Sequence, residues 1–437
     1  MMLQNIKNII QKYKSSTLGA TVTAFALVFP VIVGGLGVSV DLARSYLIHE
    51  RLTHSLDAAA LAGAGSPGLT TTDLNARINA YFRKNFQQDG NDAPVELFIT
   101  NDGSVLRVAA AVRMNATFLQ VLGISEVEVD SHSVVQREVR GLEVAMVLDV
   151  TGSMNTNNNI GTLRTAAANF TDIICPGTSC TNMVKIGLVP FATTVNVGPY
   201  GLGKNPNNTT YDTAFVNNPL NLSFNQSSST AWWGCILEQA PSNDVVDSQS
   251  SWRWNMYRYV SNSGDTRTPN SNCNKAYILP LTDKKTTVKS RISALQASGN
   301  TLSNIGMVWG YRVLSPAFPF REGVDYNDER VDKVAILMTD GDNNIGNTYS
   351  AYGPWTTYRL TDENLNQKLA TTCENMKEDG ITIYTITFTS GIDSRTKSYF
   401  RNCASDEAKY YDAPTQAQLV TVFQRIAAEL SNLYITE

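Results

Sequence analysis

The run Glu143-Val144-Ala145-Met146-Val147-Leu148-Asp149-Val150-Thr151-Gly152-Ser153 sets an apolar strand directly against a cluster of oxygen donors. Short unbroken apolar runs of this kind belong to strands covered on both faces, as in parallel sheets. Further strands are expected at Val184 to Phe191, Lys333 to Met338 and Ile381 to Phe388, with a last one at Lys409 to Asp412. Helical stretches fall between them at Thr162 to Ile174, Thr287 to Leu295, Leu302 to Leu314, Glu363 to Glu378 and Gln416 to Leu433. Gly380 closes the fourth in the manner of a helix C-cap. Strand and helix in alternation predict an α/β domain on a doubly wound, Rossmann-like sheet.

In open sheets of this class ligands bind just beyond the carboxyl ends of the strands, which is where Asp149 to Ser153 falls. The pattern Asp-x-Thr-x-Ser offers one carboxylate and two hydroxyls from a single turn, and Gly152 lets the backbone bend between them. Such hard oxygen donors suit Mg²⁺, which takes six ligands at about 2.0 to 2.1 Å and tends to keep some waters. These residues resemble the metal-ion-dependent adhesion site (MIDAS) of von Willebrand factor A domains, whose first loop reads Asp-x-Ser-x-Ser. Thr151 replaces the first Ser and keeps its hydroxyl. The resemblance implies a Thr from a second loop and an Asp from a third. Thr301, in Gly299-Asn300-Thr301, matches the second, and Asp340, in Thr339-Asp340-Gly341 after Val334 to Met338, matches the third. The implied metal site is therefore Asp149, Thr151, Ser153, Thr301 and Asp340, holding Mg²⁺ (or Mn²⁺ or Ca²⁺), with an acidic side chain of a partner completing it.

A chain of 437 residues, 43% hydrophobic and 17% charged, is long enough for two or three folded units. A net charge of -4 without any Lys/Arg run excludes a nucleic-acid groove. Leu18 to Val40 is a charge-free run of 23 residues, enough to cross a ~30 Å hydrocarbon layer. A cleaved signal peptide would have an apolar region of only about 7 to 15 residues. Lys7, Lys12 and Lys14 precede the run and Asp41 follows it, which places the N-terminus in the cytoplasm and the remainder outside. The expected organisation is a cytoplasmic stub at 1–17, a transmembrane helix at 18–40, a membrane-proximal helix at 41–70 and a small α+β spacer at 71–139. The von Willebrand factor A-like domain follows at 140–437, with insertions at about 195–282 and 343–361.

Past the span, Leu42, Tyr46, His49, Leu52, Leu56, Ala59 and Gly63 recur at helical spacing. That stripe needs a cover, either this chain's own outer domain or a helical seam with other membrane subunits, and the sequence leaves both open. The spacer reads as a helix at Leu74 to Phe86 and strands at Glu96 to Ile99, Val105 to Val112 and Val127 to Val135. The insertions carry Trp232, Trp233, Trp252 and Trp254, then Tyr349, Tyr352, Trp355 and Tyr358, rings that fill small cores or meet a partner. All six cysteines lie after the span, an even number in the part expected to reach an oxidising compartment, and no CxxC pair points to zinc. Pairing of sequence neighbours is expected: Cys175 with Cys180, Cys235 with Cys273, and Cys373 with Cys403.

Across most of its length the chain is similar to TadG-type assembly proteins of tight-adherence (Flp, Tad) pili. The resemblance rests on the apolar N-terminal helix leading into Ser55-Leu56-Asp57-Ala58-Ala59-Ala60-Leu61-Ala62-Gly63-Ala64. It continues in the metal-site strand, the Lys185 to Phe191 strand and Trp309-Gly310-Tyr311-Arg312-Val313-Leu314-Ser315-Pro316. It implies an envelope-anchored assembly or adhesion component, single-pass in the bacterial inner membrane, with its C-terminal domain periplasmic or extracellular. Its partners would be other pilus-assembly membrane proteins and pilin-like subunits. A prepilin cleaved after Gly19 would carry an acidic residue where Ala24 stands, so no such processing is expected. An enzyme is not expected: no GxSxG, HExxH or GxxxxGK[ST] motif occurs, and His49, His54 and His132 all precede the metal-site domain. The alternatives are a metal-dependent hydrolase of the cell envelope, and a structural scaffold with a vestigial metal site in which Asp149 merely caps its turn.

Overall fold

A computed structural model describes residues 17–65, 71–86, 95–101, 105–136, 141–180, 184–247, 250–257, 259–260, 267–268, 270, 272–346 and 349–433. The expected cytoplasmic stub, Thr17 apart, lies outside the described residues. The chain forms two compact units, divided between residues 139 and 140.

The N-terminal unit begins with a single helix, α1 (Thr17–Ala64), so the span and the membrane-proximal stretch are continuous. Pro30 lies inside this helix without ending it, as membrane helices tolerate when local adjustments satisfy the freed carbonyl. By length and composition α1 is apolar enough to cross a membrane. The second helix, α2 (Thr71–Asn85), is followed by an antiparallel sheet of β1 (Glu96–Asn101), β2 (Val105–Asn115) and β3 (Glu126–Gln136), in that order. Leu52, Leu56, Ala59 and Ala60 of α1 bury against Leu74, Ile78 and Phe82 of α2 and Leu106, Val108, Ala110 and Val112 of β2. The outer part of the apolar stripe is thus covered by the chain's own spacer. Gly63 belongs to this contact, since a Cβ there would stand 2.7 Å from Ile78. Leu42 and Tyr46, nearer the span, stay exposed.

In the second unit a six-stranded sheet is formed by β4 (Gly141–Asp149), β5 (Val184–Phe191), β6 (Leu279–Thr282), β7 (Val331–Thr339), β8 (Thr382–Phe388) and β9 (Tyr410–Ala413). The spatial order is β6-β5-β4-β7-β8-β9, all parallel except the edge strand β6. This is the doubly wound order that the alternation of elements predicts, with the chain leaving β4 in both directions. Alternate residues of β4 serve opposite faces. Ala145 and Val147 pack with α5 (Ser303–Leu314), α6 (Asp362–Glu378) and α7 (Ser394–Cys403). Val144, Met146 and Leu148 pack with α3 (Asn159–Ile174), α4 (Lys285–Ser293) and α8 (Gln416–Leu433). Helices on both faces leave every residue of β4 buried.

The stretch read as an insertion at about 195–282 ends inside the sheet, because its last four residues are β6. Its aromatic rings do not stand apart. Trp232 and Trp254 are fully buried beside Trp309 of α5 in the main core. Tyr257 and Tyr349 pack around Cys235 and Cys273 as a smaller cluster. Disulfides join Cys175 to Cys180, Cys235 to Cys273 and Cys373 to Cys403.

Candidate metal centre

Asp149 is the last residue of β4, at the carboxyl end of the central strand, and the chain then turns through a 3-10 segment, Gly152–Asn158, into α3. Its carboxylate is fully buried. One oxygen accepts from the Thr151 backbone N–H at 2.8 Å and the other from the Thr339 hydroxyl at 2.7 Å. Thr151 and Ser153 hydroxyls are 2.9 Å apart, and Ser153 donates to Asp340 Oδ1 at 2.6 Å. Asp340 directly follows β7, the neighbour of β4, so the parallel pairing of these strands brings the two acids to one end of the sheet.

Thr301 reaches the same place from the segment before α5. A Cβ added to Gly341 would stand 3.6 Å from its hydroxyl and 4.0 Å from that of Ser153. Backbone bonds lock the three loops together. Gly152 N–H donates to Gly299 carbonyl at 2.9 Å, and Asn344 N–H donates to Thr301 carbonyl at 2.9 Å. Gly299 itself has φ +92° and would drive a Cβ to 2.7 Å from the Thr193 hydroxyl, so the first of these contacts needs glycine. All five residues expected in the site therefore converge. Asp149, Thr151, Thr301 and Asp340 are buried, and Ser153 is exposed at the mouth.

Sequence reasoning missed the residues that hold this arrangement. Thr339 bonds the buried oxygen of Asp149, and the Thr193 hydroxyl accepts from Asn300 N–H at 2.8 Å. The Asn274 amide, from the long insertion, donates to the carbonyls of Val150 at 3.0 Å and Gln296 at 2.7 Å. Thr339 had a signal, standing at the strand end beside Asp340. Thr193 and Asn274 had none, because only the folded chain places them near Asp149.

The electrostatics follow from burial. Asp149 is pushed up to about 7 by loss of water and by the charge of Asp340 beside it, against the hydrogen bonds of Thr151 and Thr339. Burial also raises Asp340, against its bond from Ser153. Among the described residues no Lys, Arg or His forms an ion pair with either acid. Nor do three or more His, Cys, Asp or Glu side chains gather as a metal cluster among them, so an ion here would depend on hydroxyl oxygens as well as two carboxylates. The donor set fits a hard divalent cation: two adjacent buried acids lack a compensating charge, and three hydroxyls surround them.

Residues 19–66 match the family model described as putative Flp pilus-assembly TadE/G-like. No curated protein matches the chain. Among solved structures it is similar to the pilus adhesin SpaC from Lactobacillus rhamnosus GG, at 14% identity over 79% of this chain and 35% of that one, with a TM-score of 0.40. It is similar also to the vWF domain of the type V pili tip protein Mfa5 from Porphyromonas gingivalis, at 14% identity over 68% of this chain and 97% of that one, TM-score 0.39. Proximal thread matrix protein 1 from the mussel byssus, with a zinc-occupied MIDAS motif, is 16% identical over 68% of this chain and 47% of that one, TM-score 0.35. The chain spans about a third to a half of the length of the first solved structures that it matches.

Proposed function

We propose that this chain, whose N-terminal segment is a TadE/G-like pilus-assembly module, is an envelope-anchored assembly or adhesion component of a Flp-type (Tad) pilus that holds protein partners through a Mg²⁺-dependent site. The observation that carries the binding role is the pair of buried acids, Asp149 and Asp340, ringed by the hydroxyls of Thr151, Ser153 and Thr301 and, among the described residues, in no ion pair with a cationic side chain. These five residues would hold the ion, whose positive charge offsets both carboxylates. Exposure of Ser153 leaves the mouth open to a carboxylate presented by a partner. Binding, not catalysis, is the role assigned, because no histidine lies in this unit and Ser153 is already engaged by Asp340.

The anchoring role rests on α1 and on the module that it carries. With lysines before the apolar run, the N-terminus is assigned to the cytoplasm, and the disulfide-bearing unit to the periplasm or the cell exterior. Pilin-like subunits and other membrane proteins of the same assembly are the partners proposed.

Calorimetric titration of the full chain in detergent with Mg²⁺ and Mn²⁺ tests the site. Binding should disappear in Asp149→Ala, with the circular dichroism spectrum unchanged, and cells carrying that variant should make stable protein but defective pili. No binding by the folded wild type at millimolar metal overturns the proposal. Turnover of an envelope substrate that vanishes with Asp149 would establish a hydrolase in its place.

A further inference from the structure

The connection between β2 and β3 is unusual for a turn facing water. From Met114 to Ser125 it reads Met-Asn-Ala-Thr-Phe-Leu-Gln-Val-Leu-Gly-Ile-Ser, with no charged residue. Val121 is 84% exposed and Leu122 67%, and Phe118 and Ile124 are also exposed. Turns on soluble domains favour Gly, Pro, Asn, Asp and Ser at their tips, and four exposed apolar side chains on one short loop are costly in water.

This loop is fixed to α1 at one height. Asp41, fully buried, accepts hydrogen bonds from the backbone N–H groups of Thr117 at 3.2 Å, Phe118 at 2.7 Å and Leu119 at 2.8 Å. It thereby satisfies the N-terminus of the 3-10 turn Leu119–Leu122. The Arg44 guanidinium donates to the Thr117 hydroxyl at 3.2 Å. One turn earlier on α1 the Phe118 ring lies against Gly37, where a Cβ would stand 2.6 Å from it. Asp41 is the first charge after the run Leu18 to Val40, and Gly37 lies inside that run. The apolar loop therefore abuts the last turn of the segment whose Phe25, Leu27, Val31 and Leu36 side chains are more than half exposed.

We propose that the 118–124 loop is a membrane-inserting element, with Phe118, Val121, Leu122 and Ile124 seated among the lipids at the end of the span marked by Asp41. The proposal rests on reading residues 18–40 as a membrane span. Its occupant is the bilayer because the exposed apolar surface of the loop is continuous with that of the span at Gly37 and Phe118. Apolar side chains at a bilayer surface bury to a depth of about 5 to 10 Å in the headgroup and acyl boundary. Such a second hold would fix the rotation of the N-terminal unit about α1, which a lone helix leaves free.

All six cysteines are disulfide-bonded, so an introduced cysteine is the sole thiol for a spin label. The full chain, labelled singly at Val121→Cys, Leu122→Cys, Val31→Cys or Thr100→Cys, is reconstituted in phosphatidylethanolamine and phosphatidylglycerol vesicles. Collision rates with oxygen, which partitions into lipid, are then compared with those of a water-soluble nickel chelate. Thr100 is exposed at the sheet end away from the loop and reports water. Labels at positions 121 and 122 should resemble the one at 31, with an oxygen-to-nickel ratio several-fold above that at 100. Labels at 121 and 122 that match the one at 100, with position 31 in lipid, overturn the proposal and leave the span intact. Shielding from both reagents would mean that a second copy or another protein covers the loop, which also overturns it. Water exposure at 31 would remove the span itself, and the proposal with it.

Discussion

Strand β4 buries an acid near each of its ends, and the two are treated in opposite ways. Glu143 lies between two lysines, with Lys333 Nζ at 2.6 Å and Lys185 Nζ at 3.1 Å, and it also accepts from Val324 N–H. Asp149 is as deeply buried, yet its partners are a backbone N–H, a hydroxyl and the neighbouring charge of Asp340. A buried carboxylate is stable when its charge is matched, and hydrogen bonds from neutral groups answer its lone pairs without cancelling that charge. The base of the sheet is thus electrostatically closed by the chain's own residues, whereas at its carboxyl end no ion pair among the described residues answers Asp149, and an added cation would supply that charge. This difference between equivalent depths in one strand is the physical basis for assigning a cation to one end alone.

The comparison breaks most visibly at Glu143. Glu143→Gln would leave Lys333, 4% exposed, without its counter-charge, and should cost about 3 kcal/mol in urea unfolding. A neutral outcome would mean that the lysines find water and that the two ends do not differ as described.

The same kind of substitution at the other end should have the opposite sign. In metal-free buffer Asp149→Asn should stabilise the protein at pH 7 by on the order of 2 kcal/mol, because it removes a buried charge that nothing cancels. The ordinary carboxylate value is 3.8 and the folded value about 7. Between these values the folded state holds the proton more tightly, so wild-type stability falls as pH rises through this window. The advantage of the variant should therefore be absent near pH 4 and complete above pH 7. Saturating Mg²⁺ should reverse the order, since only the wild type gains by ligand binding, by about 2.7 kcal/mol at a hundredfold excess over Kd. A variant that is less stable than wild type without metal would refute the idea of an uncompensated pair.

Gly299 tests whether loop geometry or charge holds the carboxyl end together. Gly299→Ala meets both a φ of +92° and a contact of 2.7 Å with Thr193, and should cost about 1.5 kcal/mol. The loss should be the same with and without metal if the loops are set before the ion arrives. Thermal unfolding in chelator and in Mg²⁺ distinguishes this from a site that the metal itself assembles.

Much of this was legible in the sequence for a physical reason. Strands covered on both faces are mostly apolar, so β4, β5, β7 and β8 announce themselves as runs, and Asp149 and Asp340 stand out because they fall at the carboxyl ends of two of them. Strand β6 does not. It has four residues, contains Pro280 and pairs on one side only, which is what an edge strand permits and what makes it read as loop. The buried pair of Glu238 and Arg312, joined at 3.0 Å with Trp309 donating to the same carboxylate at 2.7 Å, was equally hidden. It joins the insertion to α5 across a sequence separation of 74, and no local pattern encodes a contact of that range. The helical spacing past the span was legible too, and α1 carries it on from the charge-free run without a break. The charge-free run and the stripe beyond it differ in composition, but their backbone is one helix.

Thr301 should give the smallest effect, and the most discriminating one. Its hydroxyl is a neutral donor beside Gly341, whereas Asp149 and Asp340 would bring the charge that offsets the proposed ion. Thr301→Ala retains the backbone carbonyl that accepts from Asn344 N–H, so the join between the second and third loops survives. Stability without metal should change by less than about 0.5 kcal/mol, as for a substitution that opens no large cavity and strands no buried charge. Mg²⁺ affinity should fall about fivefold, equivalent to about 1 kcal/mol and comparable to one neutral hydrogen-bonding contact. Calorimetry on Asp149→Ala and Thr301→Ala side by side gives the ratio that matters. If removal of the hydroxyl abolishes binding as fully as removal of the carboxylate, the site depends on the number of its donors and not on its charge. The contrast between the two ends of β4 would then not be what selects the metal.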